Sequence, residues 1–122
     1  MLPVGLVVDD DPHVRAFLAE TLRRGGMQIF VAESASEALT LAQAIEPSFV
    51  VTDVEMPGMN GLELCRQLRR SAATEKLIIV LVSGATTQGD AATAAGCDAV
   101  LAKPCSPALL VATIRQLLVK PS

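Results

Sequence analysis

The 122-residue chain has no tryptophan, no tyrosine and only three phenylalanines, although 51% of its residues are hydrophobic. Its core must therefore be built from Val, Ile, Leu and Ala, a palette that suits buried strands covered by helices on both faces. Histidine is nearly absent too: His13 stands alone at the start of a helical pattern, which makes it neither a metal ligand nor a catalytic base. The three cysteines, Cys65, Cys97 and Cys105, have neither metal-ligand spacing nor the even number of a disulfide set, so they read as small apolar fillers in a reducing compartment. No apolar run approaches the ~20 residues of a membrane helix, and the first residues lack the charged and apolar segments of a secretion signal. The expectation is a cytoplasmic protein with no membrane partner. Basic residues do not predominate either: 10 Lys and Arg face 13 Asp and Glu, for a formal net charge of -3. Direct nucleic-acid binding is disfavoured, since affinity there comes mainly from Lys and Arg neutralising phosphates. Arg66, Arg69 and Arg70 form one small basic group, read as a solvated helix face.

What the chain does have is a series of short apolar runs that end in chemistry. The run Phe49-Val50-Val51-Thr52 ends in Asp53, and Pro57-Gly58 stops any regular element before an amphipathic stretch begins at Leu62. Leu6-Val7-Val8 opens into Asp9-Asp10-Asp11, Leu77 to Val82 into Ser83-Gly84, and Val100-Leu101-Ala102 into Lys103-Pro104. With a further run over Ile29 to Ala32, whose polar flanks Gln28 and Glu33 suggest a sheet edge, the count is five strands. The Leu77–Val82 run is the longest and is expected at the centre.

Helical patterns separate these runs. Asp11-Pro12 places a capping residue before Pro at the first helical position, and Val14, Phe17, Leu18 and Leu22 form the inward stripe as far as Gly25-Gly26. Ser34 and Glu37 have the spacing of a capping box, followed by a stripe of Ala38, Leu41, Ala42 and Ile45 that Pro47 closes. A third helix centres on Leu64, Cys65 and Leu68. The stretch Ala85 to Gly96 carries small side chains and an internal glycine, so it should form the most weakly held helix. Ser106-Pro107 opens the last, with Leu110, Ile114 and Leu117 inward and Lys120 near its C-terminal dipole. Strands alternating with helices through short connections predict one α/β domain with a parallel sheet. The ending soon after the last helix fits a complete small protein or a domain of a longer one equally.

In an open parallel sheet the strand ends share one rim, where such folds place their sites. Asp9, Asp10 and Asp53 would meet there, and their mutual repulsion requires a cation. An oxygen-only set with room for water suits Mg2+. Lys103 adds a fixed positive charge and Ser83 a hydroxyl, and together the groups are those of phosphoryl transfer to a carboxylate. Taken singly, each has a plainer meaning: the Asp run a solvated turn with Asp11 as cap, the Lys-Pro and Ser-Gly pairs ordinary loops.

Taken jointly, Val7-Val8-Asp9-Asp10-Asp11-Pro12, Thr52-Asp53 through Asn60-Gly61, Val82-Ser83-Gly84 and Lys103-Pro104 resemble the receiver domain of two-component response regulators, the CheY-like superfamily, over about Val4 to Leu118. The resemblance implies a doubly wound, flavodoxin-like (βα)5 fold with strand order 2-1-3-4-5, and one receiver domain spanning residues 1–122. It implies that Asp53 accepts a phosphoryl group from a phosphohistidine on a sensor histidine kinase or histidine phosphotransfer protein. Mg2+ would be held by the carboxylates of Asp10 and Asp53, the backbone carbonyl of Glu55 and, mainly through water, Asp9. Ser83 would be the switch hydroxyl and Lys103 the phosphate's charge partner, its bond to Pro104 cis. The domain would catalyse only its own phosphorylation and dephosphorylation. It would signal to an output domain or partner through the fourth helix, fifth strand and fifth helix, with homodimerisation left open. Val100 departs from the pattern, since many members carry Tyr or Phe three residues before the lysine. Glu55 and Ala85 occupy positions that influence loss of the phosphoryl group in the family. Two other readings stand beside this one: an interaction module that works without phosphorylation, and a Mg2+-dependent phosphohydrolase in which Glu55 is the acid and base.

Overall fold

A computed structural model describes residues 2–84 and 95–119. Its elements are β1 (Val4–Val8), α1 (Pro12–Arg24), β2 (Gln28–Ala32), α2 (Ala35–Ile45), β3 (Phe49–Asp53), α3 (Gly61–Arg70), β4 (Ile78–Ser83), β5 (Ala99–Ala102) and α4 (Pro107–Val119). All strand pairs are parallel and the sheet runs β2-β1-β3-β4-β5, the expected order. The helix expected over Ala85 to Gly96 falls largely on residues 85–94, and Lys120 beyond α4; both lie outside the described residues.

The helix starts follow from local chemistry. The Asp11 carboxylate accepts the N–H groups of His13 (2.8 Å) and Val14 (3.4 Å) ahead of Pro12. Ser34 Oγ accepts the Glu37 N–H, and Glu37 Oε1 accepts the N–H of Glu33, one residue before the position that a standard capping box uses. Asn60 caps α3 through the Glu63 N–H.

Side chains alternate across the strands, so one sheet serves two cores. Leu6, Val8, Val50, Ile79 and Leu81 pack beneath α2 and α3. Val7, Phe49, Val51, Val80 and Val82 pack beneath α1 and α4, against Leu18, Leu22, Leu110 and Ile114. The edge placement of β2 agrees with expectation, and Gln28, Phe30 and Val31 are exposed on it.

Three expectations need correction. The centre of the sheet is β3, and β4 lies one strand from the edge. A long aliphatic run reports burial on both faces, a condition that β3 and β4 share, and does not report distance from the edge. Phe17 is 48% exposed, and Ala19 takes its place in the buried row with Leu18 and Leu22. At about 100° per residue, the face shared by Leu18, Ala19 and Leu22 carries Phe17 well round the helix. Arg69 is no solvated group. Its guanidinium donates to the carbonyls of Gly96, Glu75 and Leu77 and pairs with Asp98 at 3.0 Å, while Asp98 also accepts the Ile79 N–H at 2.7 Å. This tie holds the end of α3 to the entrances of β4 and β5. Arg66 and Arg70 do face outward, sharing Glu63 at 3.4 and 3.9 Å.

Gly5 in β1 lies directly beneath the buried Phe49 ring, where an added Cβ would come within 2.2 Å of ring carbon Cζ. Gly5→Ala should destabilise the fold by about 1–3 kcal/mol, the usual cost of overpacking. In a Phe49→Leu background the same change should cost clearly less. Urea denaturation of the two single variants and the double variant measures the difference.

Candidate functional site

Sheet register assembles the site. Val8 pairs with Thr52, Asp53 with Val82 and Ser83 with Ala102, so Asp9 and Lys103 follow on the next rung. The ladder continues that one step: the Asp9 N–H donates to Ala32 O (3.2 Å) and the Lys103 N–H to Ser83 O (2.9 Å). Four separate stretches of chain are thereby held at one rim by main-chain hydrogen bonds. The exit from β3 is fixed from the other side by α3. The Gly61 N–H donates to Val54 O, and a Cβ on Gly61 would lie 2.2 Å from Asp53 O, so only glycine permits this approach.

Asp9 and Asp53 are 1% and 3% exposed, whereas Asp10 faces solvent. One carboxylate oxygen from each of the three lies within 4.8 Å of the others. Lys103 Nζ stands 3.0 Å from Asp53 Oδ1 and 3.7 Å from Asp9 Oδ2. These two oxygens are buried and neither receives a well-directed hydrogen bond among the described residues; the ammonium meets them as a charge. Asp9 Oδ1, by contrast, accepts the Asp11 N–H at 2.9 Å, and Arg15 on α1 donates to the Asp9 carbonyl at 2.9 Å. Asp11 serves as a helix cap, as expected.

Burial pushes the Asp53 carboxyl above its ordinary range and the charge of Glu55 adds to the shift, against the opposing effects of Lys103 and of the Glu55 main chain. Burial likewise raises Asp9, reinforced by Asp53 and Asp10 and opposed by the Asp11 N–H and Lys103. For Lys103 burial works downward, but Asp53, Asp9 and Glu55 outweigh it and leave the amine raised. Among the described residues three carboxylates face one ammonium, which leaves the cluster net negative with the buried Asp53 Oδ1 and Asp9 Oδ2 sharing Lys103. That donor set fits a hard divalent cation.

The remaining residues are placed less simply. The Ser83 hydroxyl, 2% exposed, donates to Glu55 Oε2 at 2.8 Å, and the Gly84 N–H donates to Glu55 Oε1 at 3.1 Å. Sequence reasoning gave Glu55 a metal-binding carbonyl, an influence on phosphoryl loss and, in the hydrolase reading, an acid and base role, but not this pairing with Ser83 and Gly84. The pairing of Asp53 with Val82 was the available signal, because it brings the residues just beyond the two strand tips together. Arg15 was missed as well, since its contact depends on how α1 crosses the rim. The Lys103–Pro104 peptide is cis, as the resemblance implies.

The sequence pattern of the response regulator receiver domain matches residues 6–115. The chain belongs to that family. Among receiver-containing relatives, response regulator MprA of Mycolicibacterium vanbaalenii is 38% identical over 113 residues, 93% of this chain and 49% of that protein. The DNA-binding response regulator MtrA of Mycolicibacterium smegmatis is 37% identical over 112 residues, 90% of this chain and 48% of that one. The chain thus spans about half the length of the curated relatives it matches. A response regulator structure from Chloroflexus aurantiacus superposes with a TM-score of 0.93 at 32% identity, covering 98% of this chain and all of the other. The chemotaxis response regulator CheY4 of Vibrio cholerae gives 0.90 at 27% identity, covering 96% and 99%. The Asp9, Asp10 and Asp53 cluster is the acidic site of a receiver domain, and receiver chemistry is confined to the domain's own phosphorylation and dephosphorylation. Among the described residues no helix is long and apolar enough to cross a membrane.

A carboxyl raised in the folded state holds its proton more tightly there than in the unfolded chain. Metal-free stability therefore falls as pH rises from the ordinary value of 3.8 through the raised values of Asp9 and Asp53, and the loss persists at neutral pH. Asp9→Asn removes one of the buried charges and keeps an acceptor for the Asp11 N–H. In chelator at neutral pH this variant should have a higher urea midpoint than the wild type. The difference should shrink toward about pH 3, where folded and unfolded carboxyls are both protonated.

Proposed function

We propose that this receiver takes a phosphoryl group onto Asp53 from a phosphohistidine of a sensor histidine kinase or histidine phosphotransfer protein, and thereby switches a partner or output domain. The observation that carries the reading is the buried Asp53 carboxylate 3.0 Å from Lys103, within reach of two further carboxylates. A carboxylate oxygen of Asp53 attacks phosphorus, the new P–O bond forms as the P–N bond to the donor imidazole breaks, and the departing imidazole takes up a proton. Lys103 meets the added charge with a compact ammonium, and the Ser83 hydroxyl would turn from Glu55 to donate to a phosphoryl oxygen. Asp10 and Asp53 carboxylates, the Glu55 carbonyl and, through water, Asp9 would hold Mg2+. The bound ion would screen the carboxylates and accept phosphoryl oxygens.

The finer fold belongs to the same reading: a further helix over Ala85 to Gly96 completes a (βα)5 receiver spanning residues 1–122, with its core over about 4–118. That helix, β5 and α4 form the output face, a surface also suited to homodimerisation. Val100 on β5 is 39% exposed and has no ring to move inward, so the structural change it transmits is small. The reading places the domain in the cytoplasm, where a histidine kinase presents its phosphohistidine.

Incubation with acetyl phosphate and Mg2+ should add one phosphoryl mass, reversibly, to the wild type and none to Asp53→Asn. Modification that persists in that variant, on Asp9 or Ser83, overturns the assignment. Asp10→Asn should weaken Mg2+ binding and phosphorylation together, measured by titration and by the same mass assay. Lys103→Arg should fold yet transmit phosphorylation poorly, because a planar guanidinium does not replace a compact ammonium; comparison of its amide spectrum before and after phosphorylation tests this.

A further inference from the structure

The two donors at the tip of β4 are already occupied by an anion. Ser83 Oγ–H and Gly84 N–H, from consecutive residues, grip the two oxygens of the Glu55 carboxylate at 2.8 and 3.1 Å. A serine hydroxyl carries a single proton, so while it donates to Glu55 it cannot donate to an oxygen of a group on Asp53. Hydrogen bonds to a carboxylate are roughly twice as strong as neutral ones, so this contact opposes any rearrangement of the tip. Ser83 is buried while Glu55 is exposed, so the Glu55 side chain is the partner with room to leave. We infer that the Glu55 carboxylate is a latch: it occupies the donors that a phosphoryl group requires, and Ser83 reaches that group only when Glu55 swings out. A phosphoryl group on Asp53 would also drive the release directly, since it brings negative charge beside the Glu55 carboxylate. Glu55 is thus a positioning residue that acts through Ser83 and Gly84. The inference rests on the proposed role of Asp53.

The test uses beryllofluoride, which mimics a phosphoryl group on a carboxylate, titrated with saturating Mg2+ into the whole chain and followed by NMR at the Gly84 amide. Glu55→Ala should tighten beryllofluoride binding by roughly tenfold, the scale of one charge-assisted hydrogen bond released. It should also shift the Gly84 amide before any beryllofluoride is added. Removing a negative charge favours an anion by itself, so the deciding comparison is the same substitution in a Ser83→Ala background. There the gain should shrink to the effect of charge and of the freed Gly84 N–H, without the part that Ser83 contributes. An equal gain in both backgrounds, no gain, or an unmoved Gly84 amide overturns the latch while leaving the acceptor role of Asp53 standing. Failure of the wild type to bind beryllofluoride overturns that role and the latch with it.

Discussion

Three carboxylates held within 4.8 Å of one another, two of them buried and, among the described residues, only one ammonium beside them, are the constraint to which the rest of this structure answers. Left alone, such a cluster would spread apart or take up protons. It is held together because Asp9, Asp53 and Lys103 lie on, or one step beyond, hydrogen-bonded strands, and the main chain cannot yield without breaking the ladder. The parallel sheet thus stores an electrostatic demand, and that demand makes the rim a place for a cation and a phosphoryl group. A site of the same composition on a mobile loop would relax and relieve the repulsion.

The supporting contacts divide into those that hold the rim rigid and those that allow it to change. Gly61 against Asp53 O, Arg15 on the Asp9 carbonyl and the Arg69 tie between α3 and the entrances of β4 and β5 belong to the first group. The link from Glu55 to Ser83 and Gly84 belongs to the second, because it joins two strand tips through an exposed side chain that can be displaced. The rim therefore combines a fixed charge cluster with one exchangeable anion contact.

The three cysteines take no part in this chemistry. Cys65 is buried with its thiol directed to the Ala95 carbonyl, and burial pushes its pKa up to about 11, which leaves it without thiolate at neutral pH. Burial raises Cys97 and Cys105 as well. Cys65 thus acts as a packing group, as its isolated spacing implied.

Strand ends, helix caps and the groups that the rim would gather were legible in the sequence because they depend on neighbours within a few residues. Short continuous apolar runs mark strands, Asp11-Pro12 and Ser34 mark helix starts, and Asp53 before Pro57-Gly58 marks a carboxylate delivered to a tip. Other features required the tertiary structure. Adjacent Asp9 and Asp10 differ in burial because successive residues at a strand end point to opposite sides. The central place of β3 depends on which strands pair, and the outward turn of Phe17 on which face of α1 meets the sheet. Arg69 bonds to Gly96, 27 residues away, and Ser83 to Glu55, 28 residues away. Local pattern reports what each segment prefers, whereas contacts of that span exist only once the parallel register has brought the strand ends together.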